Sequence, residues 1–256
     1  MKIFDLHNDV LTKTKDFSCN FSHNCEVICA IYKGNLTMEK SFLIAKNFLL
    51  KKPKNLHLAF EDIGYKNLNV NSLLSFNPKY VSLTYNGEND FGFGCDYNLP
   101  LKSEGIRLAK LISSNGVKID VAHLSERGVY SLIDSGVKPF CSHTGVLSLK
   151  NHKRNFSNEV FKAIKEVGGI IGVTPVSYFM PNNTLNGYFS AIDYLVNLLG
   201  VNSVCIGTDF FGCDSFSGVN SYGDFYMLKE LMLNNGYTKS DVSAIFYKNA
   251  KRYFNA

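Results

Sequence analysis

The strongest constraint on the fold is a rhythm of short apolar runs, each followed by a helical or loop segment. Most of these runs are continuously apolar rather than strictly alternating, as in parallel strands that are buried on both faces. Helical periodicities separate them, for example over residues 38–50, 105–115 and 157–167. The candidate strands are Lys2–Leu6, Glu26–Tyr32, Leu56–Phe60, Tyr80–Thr84, Val117–Ala122, Pro139–Ser142, Gly169–Thr174 and Ser203–Gly207.

Alternating strands and helices imply a parallel sheet, and eight such units in 256 residues match a (β/α)8 barrel. We therefore predict a single catalytic domain over residues 1–256. The alternative is a doubly wound open sheet, which usually carries a glycine-rich turn after its first strand. Here the first strand runs into Leu6-His7-Asn8-Asp9 without a glycine, which favours the barrel.

Composition excludes several classes of protein. Hydrophobic residues make up 45% and charged residues 19%, which excludes a disordered chain. The net charge of +5 is scattered along the sequence and does not indicate a nucleic-acid partner. No apolar run approaches the ~20 residues of a membrane-spanning helix. The seven cysteines form no regular framework and no leader peptide is visible, so we predict reduced thiols and a cytoplasmic location.

One cysteine-rich segment contains the residue types that bind structural zinc. Its members are Cys19, His23, Cys25 and Cys29. Cys25 and Cys29 fall in a candidate strand, where residues four apart are roughly 13 Å apart and cannot share one ion. Free cysteines are the preferred interpretation.

Ionisable side chains follow the carboxyl ends of five candidate strands. In a barrel these ends meet at the face where active sites are built. His7 and Asp9 are two residues apart in a strand, so both side chains lie on the same face and can bind one ion. The set is His7 and Asp9, the acidic pair Glu61-Asp62, His123, His143 and Asp209.

Three histidines and three carboxylates, with one acid of the Glu61-Asp62 pair counted, exceed the needs of a single tetrahedral zinc site. They suit two ions that share a bridging carboxylate. Imidazole and carboxylate ligands favour zinc, with manganese, cobalt or iron as alternatives. Such a pair of cations lowers the pKa of water and supports hydrolysis of an amide, an ester or a phosphoester.

Short motifs in a fixed order give a family resemblance. The motifs are Phe4-Asp5-Leu6-His7-Asn8-Asp9, Leu83-Thr84-Tyr85-Asn86 with Asn89-Asp90, Asp120-Val121-Ala122-His123-Leu124-Ser125, Ser142-His143, Arg154-Asn155 and Ile206-Gly207-Thr208-Asp209-Phe210. In these motifs, from residue 4 to about residue 212, the chain resembles the membrane dipeptidase family of zinc metallopeptidases, within the amidohydrolase-like barrels.

The resemblance implies a role for each site residue. His7 and Asp9 would bind a first zinc ion, His123 and His143 a second, and Glu61 would bridge the two. Asp209, near the first zinc, would move a proton from the attacking water to the leaving amine. Arg154 would bind the free carboxylate of the substrate, and Tyr85 and Asn86 lie in a substrate-binding motif. Glu61, Tyr85 and Asp209 are thus the predicted catalytic residues.

The sequence also departs from the family pattern. Tyr85 stands where better-known members have a histidine that stabilises the tetrahedral intermediate, and a phenol donates a hydrogen bond but carries no positive charge. Asp62 replaces the usual glycine, so that alignment on Ala59-Phe60 is needed to choose Glu61 over Asp62 as the bridge. Phe211 replaces a second aspartate.

The resulting prediction is a zinc dipeptidase that cleaves dipeptides, with a D-residue at the C-terminal position and a homodimer as further implications of the family. A metal-dependent amidase, deacylase or lactonase acting on N-acyl amino acids is the first alternative, and a metal-binding barrel without turnover is the second. A phosphoesterase is disfavoured, because such barrels usually open with two histidines flanking one residue.

From the residues alone, the basic loop containing His152 and Arg154 is typical of a solvated surface.

Overall fold

The computed structural model describes residues 1–13, 24–51, 54–213 and 215–255. Its strands join one sheet in the order β5-β4-β3-β2-β1-β8-β7-β6. The strands are β1 (Ile3–Asn8), β2 (Cys25–Tyr32), β3 (Leu56–Glu61), β4 (Tyr80–Ser82), β5 (Lys118–Asp120), β6 (Cys141–Thr144), β7 (Ile171–Val173) and β8 (Val204–Ile206).

The strand order distinguishes a barrel from an open doubly wound sheet. Neighbours in the sheet follow the order of the chain, and the last strand pairs in parallel with the first, with Asp5 opposite Ile206. A doubly wound sheet instead reverses its strand order at a switch point. The predicted (β/α)8 fold class is therefore confirmed.

Helices follow the strands along the chain, as a βα repeat requires. Ser125 caps one helix that the periodicity did not reveal, and its Oγ accepts a hydrogen bond from Gly128 N at 3.0 Å. The helices are α1 (Val10–Lys13), α2 (Met38–Lys51), α3 (Val70–Ser75), α4 (Ser103–Ser114), α5 (Glu126–Asp134), α6 (Asn158–Glu166), α7 (Leu185–Leu199), α8 (Phe225–Asn234), α9 (Lys239–Ser243) and α10 (Asn249–Asn255), with a π-helical turn at Ala244–Lys248 between the last two.

The backbone contacts divide the chain into two compact units. The first unit comprises Met1–Asn8, Asn20–Val27 and Cys141–Ala256, and it contains β1, β6, β7 and β8. The second comprises Asp9–Cys19 and Ile28–Phe140, and it contains β3, β4 and β5. Strand β2 is divided between them. The single domain stays a prediction, as do the cytoplasmic location and the homodimer.

Close packing in the first unit brings the ends of β6 and β8 together. A Cβ atom at Gly207 would collide with the carbonyl oxygen of Ser142. Only glycine permits this approach, because any side chain at this position would push the two strands apart. His143 follows Ser142 directly, and Asp209 lies two residues beyond Gly207, so the contact brings together the two backbone segments that carry these predicted ligands.

Two remaining predictions concern particular segments. Cys25 and Cys29 lie within β2, as predicted, and both are buried and form no disulfide among the described residues. Cys19 and His23 lie outside the described residues. None of the helices in the described ranges combines the length and the apolarity that crossing a bilayer requires.

Candidate active site

Three predicted ligands meet at the strand ends of the first unit, and we call them the β1/β6/β8 group: His7, His143 and Asp209. The His7 and His143 rings have centroids 4.1 Å apart. The Nε2 atom of His7 lies 3.8 Å from Asp209 Oδ1. Ligand atoms of both neighbours lie within 4.8 Å of one on His7, which is a spacing that a metal ion can bridge.

Both imidazoles of this group are fully buried, whereas the Asp209 side chain keeps 14% of its surface exposed. Ser142 Oγ lies 2.9 Å from His143 Nδ1 and fixes that edge of the ring. A hydrogen bond at one imidazole nitrogen orients the other for ligation. The group thus combines two oriented imidazoles with a carboxylate that solvent can reach.

A second group of predicted residues lies within the second unit, and we call it the β3/β5 group: Glu61, Asn86 and His123. His123 Nδ1 lies 2.7 Å from Asn86 Oδ1, and His123 Nε2 lies 3.1 Å from Glu61 Oε1. An amide oxygen only accepts hydrogen bonds, so Nδ1 carries the proton. In the neutral ring, Nε2 then directs its lone pair toward a carboxylate oxygen. A cation bound by both atoms would stabilise this arrangement.

Aromatic rings line this group. Tyr85 stacks on His123 with centroids 4.1 Å apart, and Tyr32 packs on Tyr85 at 4.5 Å. Burial, followed by the negative charges of Glu61, Asp62 and Asp9, raises the pKa of Tyr32 to about 12. Its phenol therefore stays protonated at neutral pH. Sequence reasoning missed Tyr32, although it is the last residue of β2 and so stands at another strand end.

The structure separates the roles of the two neighbouring acids after β3. Glu61 faces His123, whereas Asp62 Oδ2 lies 3.6 Å from Lys33 Nζ and Asp62 Oδ1 accepts a hydrogen bond from Asn89 at 3.0 Å. Burial raises the pKa of Asp62, and the positive charge of Lys33 opposes that shift. Glu61 is thus the acid of this pair that faces the imidazole of His123.

Left-handed backbone recurs at the predicted site residues. Asp62, His123 and Asp209 have φ values of 58°, 71° and 58°. This region is unfavourable for residues with a side chain and costs of order 1–3 kcal/mol, so it persists only where the surroundings impose it. It also explains why a glycine suits the position of Asp62 in the family pattern. His123 lies beyond β5, which ends at Asp120, rather than on the strand itself.

Arg154 is the most unusual side chain of the first unit. It is 3% exposed, and its Nε, Nη1 and Nη2 atoms have no hydrogen-bond partner among the described residues. The guanidinium lies over the ring of Phe179 at 5.6 Å. A buried cation without hydrogen bonds is costly, whereas a bidentate carboxylate would satisfy it. The basic composition of this loop predicted a solvated surface, and for Arg154 that prediction is wrong.

Side chains around Arg154 connect it to the β1/β6/β8 group. Thr144, directly after His143, donates a hydrogen bond from Oγ1 to the carbonyl oxygen of Arg154 at 3.0 Å. The pKa of Tyr178 is raised well above its usual value. Burial is the largest cause, followed by the Cys213 thiol and the negative charge of Asp209, while the positive charge of Arg154 opposes the shift. The Tyr178 hydroxyl therefore lies within electrostatic reach of both Asp209 and Arg154.

His152 is also less solvated than predicted. Its ring packs on Phe179 with centroids 4.8 Å apart, and its Nδ1 accepts a hydrogen bond from Arg154 N at 3.2 Å. Burial and the nearby charges of Arg154, Lys153 and Lys150 lower its pKa. A neutral imidazole adds no charge that would compete with Arg154 for an anion.

The donor set fits divalent transition metals. Imidazole nitrogens and carboxylate oxygens without thiolates are typical of catalytic zinc, manganese and related ions. The residues that could hold such ions are His7, His143 and Asp209 in the first unit and Asp9, Glu61 and His123 in the second.

Comparison with known proteins gives a family match. The model of the membrane dipeptidase family, peptidase family M19, matches residues 62–256 of this chain. Dipeptidase verJ of Clonostachys rogersoniana is 23% identical over 197 residues, which cover 73% of this chain and 50% of the relative. Among four curated relatives the aligned stretch makes up between 36% and 67% of the relative's length.

Solved structures show the same fold. Dipeptidase AC, a metallopeptidase of family M19, superimposes with a TM-score of 0.87 at 16% identity, over 100% of this chain and 98% of its own. A metallopeptidase from Rhodobacter sphaeroides, liganded with a phosphinate mimic of the dipeptide L-Ala-D-Ala, gives 0.84 at 16% identity over 100% and 99%.

Proposed function

The chain belongs to the membrane dipeptidase family of metallopeptidases, and from that premise we propose that it is a metal-dependent dipeptidase. The observation that carries this proposal is the buried guanidinium of Arg154, which has no hydrogen-bond partner among the described residues. A dipeptide always presents a free carboxylate close to its scissile bond. One fixed cation beside the β1/β6/β8 group therefore suits a substrate of this length.

Arg154 anchors the C-terminal carboxylate of the substrate in this proposal. Its planar fork makes two parallel hydrogen bonds to a carboxylate, which a lysine cannot reproduce. The ring of Phe179 covers the guanidinium and limits its hydration. The anchored end holds the scissile carbonyl at one distance from the ligand groups, which favours dipeptides over longer peptides.

His7, Asp9, Glu61, His123, His143 and Asp209 are the proposed ligands of two zinc ions, with Glu61 as the bridge. The support is the family match, which covers His123, His143 and Asp209, the donor set, and the position of the residues at or close to the carboxyl ends of strands of one parallel sheet. When bound, the ions supply Lewis-acid activation of water and of the scissile carbonyl at neutral pH. Manganese, cobalt or iron are alternatives with the same ligand preferences.

Asp209 is the proposed proton carrier. It is the carboxylate of the β1/β6/β8 group, its side chain is 14% exposed, and its Oδ1 lies 3.8 Å from His7 Nε2. It accepts a proton from the attacking water and delivers it to the nitrogen of the leaving amine as the C–N bond breaks. Its left-handed backbone fixes where the carboxylate can act.

Substitution of Tyr85 by phenylalanine tests the phenol as an oxyanion donor. We expect Tyr85→Phe to lower kcat about tenfold with little change in KM, since a donor used only in the transition state affects kcat. The ring that stacks on His123 is retained, so metal binding should persist. Steady-state kinetics with metal content measured in parallel check this, and an unchanged kcat would remove the phenol from the mechanism.

A substrate panel tests the proposed function directly. We expect the zinc-loaded chain to cleave L-Ala-L-Ala and L-Ala-D-Ala but not N-acetyl-alanine, and a chelator to abolish the activity until zinc is restored. Acceptance of the D-residue is proposed from the family and from the ligand of the Rhodobacter relative. Retention of full activity after verified metal removal would contradict the metal-dependent mechanism.

The same panel separates a second candidate function. Tyr85 in place of the usual histidine favours an amidase, deacylase or lactonase with different transition-state demands. Faster cleavage of N-acetyl-alanine than of either dipeptide would support this alternative. No cleavage of any compound by a chain with verified metal would support a binding protein without turnover.

A further inference from the structure

A buried hydrogen-bond network lies behind the β1/β6/β8 group. Its centre is the carboxylate of Asp5, which is fully buried in β1 two residues before His7. Asp5 Oδ1 accepts hydrogen bonds from Thr208 N at 2.7 Å and His7 N at 3.2 Å. Asp5 Oδ2 accepts from Thr208 Oγ1 at 2.6 Å and from Tyr222 OH at 2.5 Å.

Tyr222 is the distant member of this network. It lies in a 3-10 turn, Tyr222–Asp224, 217 residues away from Asp5 in sequence. Its hydroxyl also accepts a hydrogen bond from Asn8 Nδ2 at 3.1 Å, and its ring packs edge-on against Phe210 at 5.2 Å. It therefore contacts the residue after His7 and the residue after Asp209. The turn itself is fixed by a capping box between Ser221 and Asp224.

The network brackets the strained backbone of Asp209. Thr208, held by Asp5, precedes it, and its Oγ1 accepts a hydrogen bond from Phe210 N at 3.1 Å. The Asp209 amide itself donates to the carbonyl oxygen of His7 at 3.1 Å. Strained conformations survive where the surrounding contacts over-determine them. The bonds on both sides of Asp209 supply such contacts.

We propose that Tyr222, acting through Asp5 and Thr208, is a positioning residue that fixes the positions of His7 and Asp209 relative to each other. The inference rests on the proposed function, since it names these two residues as ligand and proton carrier. Its hydroxyl bonds to Asp5 and Asn8, which lie on either side of His7 in β1, so its contribution in this proposal is geometric. Groups that support metal ligands typically change metal affinity or activity by 10–100-fold when removed.

The test compares Tyr222→Phe with Tyr226→Phe in the full chain. Tyr222→Phe removes the hydroxyl that bonds to Asp5 and Asn8 and keeps the ring on Phe210. Tyr226 lies four residues further on in α8, is 60% exposed, and serves as the matched control. The readouts are zinc affinity by competition with a chromogenic chelator, the melting temperature, and kcat and KM at saturating zinc.

We expect Tyr222→Phe to weaken zinc binding about tenfold and to lower kcat about tenfold with KM within twofold. Tyr226→Phe should match the wild type in all of these. A variant with a lower melting temperature but wild-type zinc affinity would overturn the inference, because Tyr222 would then be structural only. If Tyr222→Phe does not fold, Thr208→Val takes its place, because it removes the other hydroxyl that bonds to Asp5 Oδ2. Weaker zinc binding by Thr208→Val would support the inference, and wild-type zinc affinity would overturn it.

The two proposals fail differently. If the zinc-bound wild type cleaves no dipeptide, the proposed function is wrong, whereas the zinc affinity of Tyr222→Phe still decides the positioning role. If dipeptides are cleaved and Tyr222→Phe binds zinc as tightly as the wild type, only the positioning role is wrong.

Discussion

Replacement of Arg154 by methionine is expected to abolish most dipeptide hydrolysis while leaving the fold as stable as before or more stable. The substrate carboxylate loses its only proposed cationic partner. Loss of one member of a desolvated, hydrogen-bonded charge pair costs about 2–5 kcal/mol. At 1.4 kcal/mol per factor of ten, that predicts a fall in kcat/KM of about 30-fold to 4000-fold. The larger part should appear in KM, since the carboxylate is bound in ground and transition states alike.

The stability of the same variant distinguishes a substrate anchor from a structural arginine. The guanidinium is 3% exposed and has no hydrogen-bond partner among the described residues, so the free protein bears its desolvation cost. A methionine of similar length removes that cost and still packs on Phe179. Melting curves with and without a dipeptide check this, and ligand should stabilise the wild type alone.

The control for this experiment is Arg107→Met. Arg107 is exposed on α4 and pairs with Glu104, so its removal should change neither kcat/KM nor, by more than ~0.5 kcal/mol, the free energy of unfolding. A marked loss of stability in Arg154→Met with unchanged KM would show that Arg154 supports the fold rather than the substrate.

The sequence predicted the sheet well because parallel strands leave a strong local signal. All eight predicted runs overlap the strands found, since strands covered on both faces are rich in apolar residues. Helix α5 was missed because only Val129 and Leu132, with Gly128, are buried in a helix of nine residues. A stripe this short does not establish a period of 3.6.

The sequence predicted which candidate ligands lie near one another but not the contacts that support them. His7 and His143 lie near the carboxyl ends of their strands and Asp209 follows β8, where local sequence and barrel geometry suffice to group them. The bond between Asp5 and Tyr222 joins residues 217 apart, and no local pattern marks Tyr222 as its partner. Arg154 lies in a loop whose basic composition predicts exposure to solvent. Its burial against Phe179 results from tertiary packing, which the local sequence does not reveal.

Replacement of His123 by alanine is expected to remove one of the two proposed metal equivalents and to lower kcat at least ~1000-fold. Its Nδ1 lies 2.7 Å from Asn86 Oδ1 and its Nε2 lies 3.1 Å from Glu61 Oε1. The contact at Nδ1 orients the ring, and Nε2 is left as the nitrogen that would bind the ion. Loss of electrophilic assistance by a metal ion is worth several kcal/mol, and each 1.36 kcal/mol is tenfold in rate. Elemental analysis of the purified variant and single-turnover rates measure both effects.

His57→Ala is the matched control, because it deletes an imidazole from the same unit at the start of β3, four residues before Glu61. It should retain the metal content of the wild type and its kcat within about twofold. Zinc added in excess should not restore His123→Ala, since the ligand itself is missing, whereas it should restore the chelator-treated wild type. Full activity of His123→Ala with wild-type metal content would refute the ligand assignment. In that event the contact with Glu61 would be an ordinary buried ion pair, and the metal would be held by the remaining candidates alone.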